Sequence, residues 1–129
     1  PAPDARRFQS GTPPIPLTYA AEAGLDVICE YGIDAIGMRN RELSGLCLDE
    51  LRNLGIAVAT PRHDDQRGSL VAIRSSDAPD LVARLAQQNV VVTSRDGNIR
   101  AGFHFYNDEV DVARFLAALE THRSLLLPA

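Results

Sequence analysis

The 129-residue chain contains no lysine, so every basic side chain besides histidine is an arginine. It therefore supplies no side-chain amine for Schiff-base chemistry. Cysteine is also scarce: Cys29 and Cys47 fall in helix-like segments without ligand-type spacing, which points to reduced, packed thiols rather than a disulfide or zinc site. No apolar run approaches the roughly 20 residues that span a bilayer, and no basic-then-apolar signal opens the chain. Cytoplasmic residence is the resulting expectation. A net charge of −4 offers no positive field, so neither nucleic acid nor an anionic membrane is expected as a partner. The chain opens on proline, and residues 1–6 read as a loop joined midway, as in a fragment, a processed product or an excised domain.

What is present belongs to a folded protein. Apolar residues make up 45% of the chain, and the length suits one compact domain with a real core. The most informative stretch runs from Arg95 to Asp111. Asp96-Gly97 is a turn pair, after which residues 98–105 alternate with the period of a strand. Ile99, Ala101, Phe103 and Phe105 fall on one face, an apolar row suited to a core. Asn98, Arg100, Gly102 and His104 fall on the other. A guanidinium offers two parallel donors to a carboxylate, and glycine lets a ligand approach the backbone. The same alternation also suits a solvated strand face with an ordinary surface arginine. Asn107 follows as a candidate cap for a helix whose first turn is acidic (Asp108, Glu109, Asp111).

The remaining elements are read from periodicity. Residues 17–31 form a helix with Leu17, Ala21, Gly24, Ile28 and Tyr31 on one stripe, stopped by Gly32. Residues 33–54 form a second, with Ile36, Leu43, Cys47, Leu51 and Leu54 inward, ended by Gly55. Residues 56–60 read as a strand and 61–68 as a charged loop. His63 beside Asp64 and Asp65 could suggest a metal, but adjacent loop residues seldom converge on one ion, and no metal site is expected. Residues 69–74 read as a strand covered on both faces. Asp77 caps a helix containing Leu81, Val82 and Leu85, with Asn89 as its stop. Residues 90–92 form a third strand, joined through Asp96-Gly97 to the fourth. The last helix covers 108–122, with Val112, Phe115, Leu116 and Leu119 inward; residues 125–129 carry no readable pattern. The order gives an α+β fold, a small mostly antiparallel sheet covered by helices.

Near the start, Arg7-Phe-Gln-Ser-Gly-Thr-Pro-Pro-Ile-Pro16 is a turn immediately before a helix. Pro13, Pro14 and Pro16 cannot donate, which leaves Ser10, Gly11, Thr12 and Ile15 with N–H groups. Such a turn can place N–H groups and a hydroxyl around a phosphate, although most Ser-Gly-Thr turns are only turns.

Two of these stretches resemble one family. Ile99-Arg-Ala-Gly-Phe-His-Phe-Tyr-Asn-Asp-Glu-Val-Asp111 is similar to the C-terminal motif of the class V aminotransferases, fold type I pyridoxal-phosphate enzymes. That family includes isopenicillin N epimerase-like enzymes, selenocysteine lyases and cysteine desulfurases. The Gly11-Thr12 segment resembles the family's contact to the cofactor phosphate of the other subunit. The resemblance implies residues 1–16 as a leading loop with that phosphate contact, and residues 17–129 as the small C-terminal domain. It implies pyridoxal 5'-phosphate, an amino-acid substrate and a homodimer for the full-length enzyme. Arg100 would grip the substrate α-carboxylate, Gly11 and Thr12 would contact the phosphate, and His104 would border the substrate. Without lysine this chain has no catalytic residue of its own. Desulfurases carry a nucleophilic cysteine just before the arginine strand; residues 93–98 hold none here, which disfavours persulfide chemistry. A free-standing, non-catalytic α+β module that binds a small carboxylate or a protein partner is the alternative from a different class.

Overall fold

A computed structural model of the chain describes residues 2–8 and 11–129. They form two compact units, Pro1–Ala35 and Ile36–Ala129.

The first unit holds a short 3-10 turn, Ala5–Phe8, and helix α1, Ile15–Tyr31. Pro16 sits in the first turn of α1, where its missing N–H costs nothing. No residue of α1 is buried; of the stripe expected from its sequence, Leu17, Ala21, Gly24 and Tyr31 are exposed and Ile28 is half-buried. The boundary between the units falls in the first turn of α2, Ile33–Asn53.

The second unit carries the core. Leu43, Cys47, Leu48 and Leu51 of α2 are buried at helical spacing. The helix ends as a hydrogen-bonded C-terminal cap requires. Gly55 takes a φ of 64°, its N–H donates to the carbonyl of Arg52, and the N–H of Ile56 donates to that of Leu51. A left-handed residue with this bond pair satisfies carbonyls that the helix leaves open. Residues 56–60 do not go on to form the expected strand. They make two isolated bridges, Ile56 with Pro128 and Val58 with Ile73. The segment is shared between two neighbours, and no ladder lengthens on either side.

Strand β1, Leu70–Arg74, helix α3, Ala78–Gln87, strands β2, Thr93–Arg95, and β3, Asn98–Gly102, and helix α4, Glu109–Glu120, complete the unit. The sheet order is β1-β3-β2, antiparallel throughout, so the α+β architecture expected from sequence is the one observed. Val71 and Ile73 of β1 stand opposite Ala101 and Ile99 of β3. All four are buried, in one core with Leu81 and Leu85 of α3 and Val112, Phe115 and Leu119 of α4. Ala72 is only half-buried and Leu70 is exposed, so β1 is covered on one face rather than two.

Two further expectations are corrected. Residues 90–92 are not a strand. Asn89, at φ 59°, closes α3 with the same bond pair that closes α2, and the N–H of Val90 is spent on the carbonyl of Leu85. Pairing therefore begins only at Thr93. The cap of α4 is Asp108 rather than Asn107. Its carboxylate accepts from the N–H of Asp111, whose own carboxylate accepts from the N–H of Asp108. The last residues are ordered: Leu126 is buried, Leu127 exchanges backbone bonds with Ala57 and Arg74, and the N–H of Ala129 donates to Gly55.

Candidate functional site

Arg100 lies on the central strand, where register fixes its surroundings. Ala72 of β1 and Thr93 of β2 stand directly across from it on either side. Cross-strand partners share a face of the sheet, so Arg100 belongs to the face opposite the core. Its neighbour along that face is Gly102, at which an added Cβ would meet nothing within 4 Å. The guanidinium thus rises from a floor of small side chains. Arg39, Arg52, Arg67, Arg84 and Arg95 each hold an ion pair. Among the described residues, no carboxylate pairs with Arg100.

The hairpin that presents Arg100 is set by Asp96 at φ 52° and Gly97 at φ 73°, positive at both central positions. That is the two-residue turn whose twist matches a right-handed strand pair. Asn98 secures it by donating to the carbonyl of Asp96 at 2.9 Å.

His104 stands beyond the end of β3, so the strand alternation stops short of it. Its backbone N–H donates to Oδ1 of Asn107 at 3.0 Å, and its ring stacks on Tyr106 with centroids 4.8 Å apart. Its Nδ1 is buried and has no partner among the described residues. Phe105, expected in the core row, is only half-buried, and Phe103 is the last residue of that row to be packed in.

The turn into α4 is held electrostatically. Arg39 of α2 binds both carboxylate oxygens of Glu109, at 2.7 and 3.1 Å. Those bonds lower the Glu109 carboxyl to about 2. The Asp111 carboxyl is lowered by the Asn107 side-chain amide and by the N–H of Asp108.

Gly11 and Thr12 lie in the other unit, just ahead of α1. Both are exposed, an added Cβ at Gly11 would meet nothing within 4 Å, and Pro14 caps α1 without a side-chain bond. The Thr12 hydroxyl makes no hydrogen bond among the described residues. The Thr12 hydroxyl can therefore take part in holding a phosphate, while the absence of lysine rules out a covalent hold on pyridoxal by this chain. Ser10 lies outside the described residues. Of the cysteines, Cys29 is exposed and Cys47 is buried in the core, where desolvation pushes its thiol up to about 12.

Sequence reasoning passed over two members of the Arg100 face. Arg95 is opposite Asn98 in the hairpin, and Arg74 is opposite Asn98 from the other side. The Arg95 position follows from the Asp96-Gly97 turn alone. The Arg74 position requires the β1–β3 register, which no local pattern carries.

The comparisons with known proteins bear on this fold and this strand. Residues 37–119 match the family model of the kynureninase C-terminal domain. The kynureninase of Myxococcus xanthus is 31% identical over 126 residues, covering 93% of this chain and 30% of that protein. An uncharacterised aminotransferase of Bacillus subtilis is 31% identical over 108 residues, 84% of this chain and 29% of its own length. Among solved structures, the apo cysteine desulfurase of Thermococcus onnurineus NA1 matches with a TM-score of 0.84 at 25% identity, over 94% of this chain and 34% of that one. The relatives are class V pyridoxal-phosphate enzymes, the class that the Arg100 strand and the Gly-Thr turn resemble. The chain belongs to the kynureninase C-terminal domain family within that class. It spans about a third of the length of the relatives it matches.

Proposed function

We propose that this chain is the C-terminal domain of a homodimeric, cytoplasmic pyridoxal-phosphate enzyme acting on an amino acid, and that Arg100 holds the substrate α-carboxylate. One observation carries the reading: a guanidinium without a carboxylate partner among the described residues, on the central strand, surrounded by alanine, threonine and glycine. A rigid fork of donors fits a carboxylate in two parallel bonds, which a lysine ammonium could not match. Pyridoxal phosphate, when bound, supplies the electron sink for breaking one bond at the α-carbon. Arg100, by fixing the carboxylate, selects which bond is aligned to break. Gly11 and Thr12 contact the cofactor phosphate across the dimer, and His104 borders the substrate. The lysine, and the choice among transamination, epimerisation and elimination, come from outside this chain.

Persulfide formation is the reading least supported within the class. The Asp96-Gly97 turn offers no cysteine, and Cys47 is sealed in the core.

The test is Arg100→Ala in the intact polypeptide. Substrate binding and turnover fall while cofactor content stays near normal. Loss of the cofactor instead would assign Arg100 to a structural or phosphate-binding role. The mass of the polypeptide in its source cells separates this reading from a free-standing carboxylate-binding module. A product much heavier than this chain, with a lysine upstream, supports the enzyme; a product of this size supports the module.

A further inference from the structure

The face that carries Arg100 carries two more arginines. Because Ala72 and Thr93 stand opposite Arg100, Arg74 and Arg95 lie two residues further along on the same face, both opposite Asn98. Each is therefore a diagonal neighbour of Arg100. Diagonal positions on an antiparallel sheet lie about 7–8 Å apart, within reach of long side chains. The remaining positions of the three strands on this face are Leu70, Ala72, Thr93, Asn98 and Gly102, none of them charged. The nearest carboxylate is Asp96, in the turn, with Oδ2 3.6 Å from Nε of Arg95. Arg74 has no carboxylate partner among the described residues.

Three positive side chains so placed repel one another, and the chain as a whole is acidic, at −4. The fold does not need them, since the core lies on the other face. An anion with two charges would relieve the repulsion and engage two guanidinium forks at once. A singly charged ligand on Arg100 would leave Arg74 without a partner among the described residues and Arg95 with only the exposed Asp96 carboxylate.

We infer that the amino acid held by Arg100 has an acidic side chain, whose carboxylate is met by Arg74 and Arg95. The inference rests on the assignment of Arg100 to the α-carboxylate. It adds the substrate class, a dicarboxylic amino acid of aspartate or glutamate type.

Glutamate and glutamine differ by the charge in question at nearly the same size, which makes them the probes. The intact polypeptide, labelled so that the arginine Nε–H signals resolve, is titrated with each at low ionic strength. Glutamate binds about tenfold more tightly than glutamine, as one additional charge-assisted contact requires. It shifts the signals of Arg74, Arg95 and Arg100 together. The double variant R74Q/R95Q brings glutamate down to the glutamine level, with circular dichroism confirming that the fold is kept. Equal binding of the two, with only the Arg100 signal moving, overturns the acidic-substrate inference and leaves the α-carboxylate assignment standing. No shift at Arg100 with either ligand overturns both.

Discussion

Arg39 on α2 and Glu109 in the first turn of α4, seventy residues apart, meet in a two-pronged ion pair, and Arg39 also reaches the carbonyl of Asn107 at 3.5 Å. One side chain thus fastens both the chain that leaves β3 and the helix that follows it. The Glu109 carboxyl is lowered from its ordinary 4.5 to about 2, first by the Arg39 hydrogen bonds. A carboxyl depressed on folding contributes stability that is fully present above its unfolded value and fades as pH falls through the folded one. The window therefore lies between about pH 5 and pH 2. Within it, wild type loses more stability than Glu109→Gln, as urea titrations at stepped pH will show. The pair is solvent-exposed, so the difference is small and shrinks further at high salt. Equal losses in the two proteins would mean that the pair contributes nothing to folding.

The cap of α4 gives a second prediction. The Asp108 side chain accepts from the N–H of Asp111 at 2.9 Å. Asp108→Ala leaves that donor open and lowers stability by about 1 kcal/mol, whereas Asp108→Asn retains most of it. Urea unfolding at neutral pH compares the two. If Asn were as damaging as Ala, the charge rather than the hydrogen bond would be what matters there.

The thiols separate by burial. Cys29 is exposed on α1, while Cys47 is fully enclosed by the core, its thiol pushed up to about 12. A thiolate is the reactive form, so a chromogenic disulfide reagent at pH 8 titrates Cys29 promptly and leaves Cys47 untouched until denaturant is added. Cys47→Ser buries a hydroxyl in the same space and costs more stability than Cys47→Ala.

Helix positions and the hairpin were legible because their signals are local. The Asp96-Gly97 pair, the alternation of the Arg100 strand, the buried leucines of α2 and the acidic start of α4 each follow from a few adjacent residues, and the family motif added the role expected of Arg100. The failures came where two distant segments compete for one backbone. Val90 reads as strand by propensity, but its N–H closes α3. Residues 56–60 read as strand too, but they divide their bonds between β1 and the C-terminal residues. The Arg74 position was hidden for the same reason: a one-residue change of register would move it to the other face, and nothing local sets that register.

Gly102 offers the sharpest separation of folding from binding. It ends β3 on the Arg100 face, with open space where a Cβ would stand, and its backbone φ is not in the left-handed region. A side chain there has no neighbour to displace. Gly102→Val is therefore neutral or slightly stabilising, by up to about 1 kcal/mol, because glycine weakens a strand interior and valine favours it. If a ligand approaches the backbone beside Arg100, the same isopropyl group stands in its way, and carboxylate binding drops although the melting temperature does not. Thermal unfolding alongside a glutamate titration of the variant reads both effects. A variant with unchanged stability and unchanged binding would show that the open ground at Gly102 is not part of the carboxylate site, and would confine the ligand to the β1 and β2 sides of Arg100.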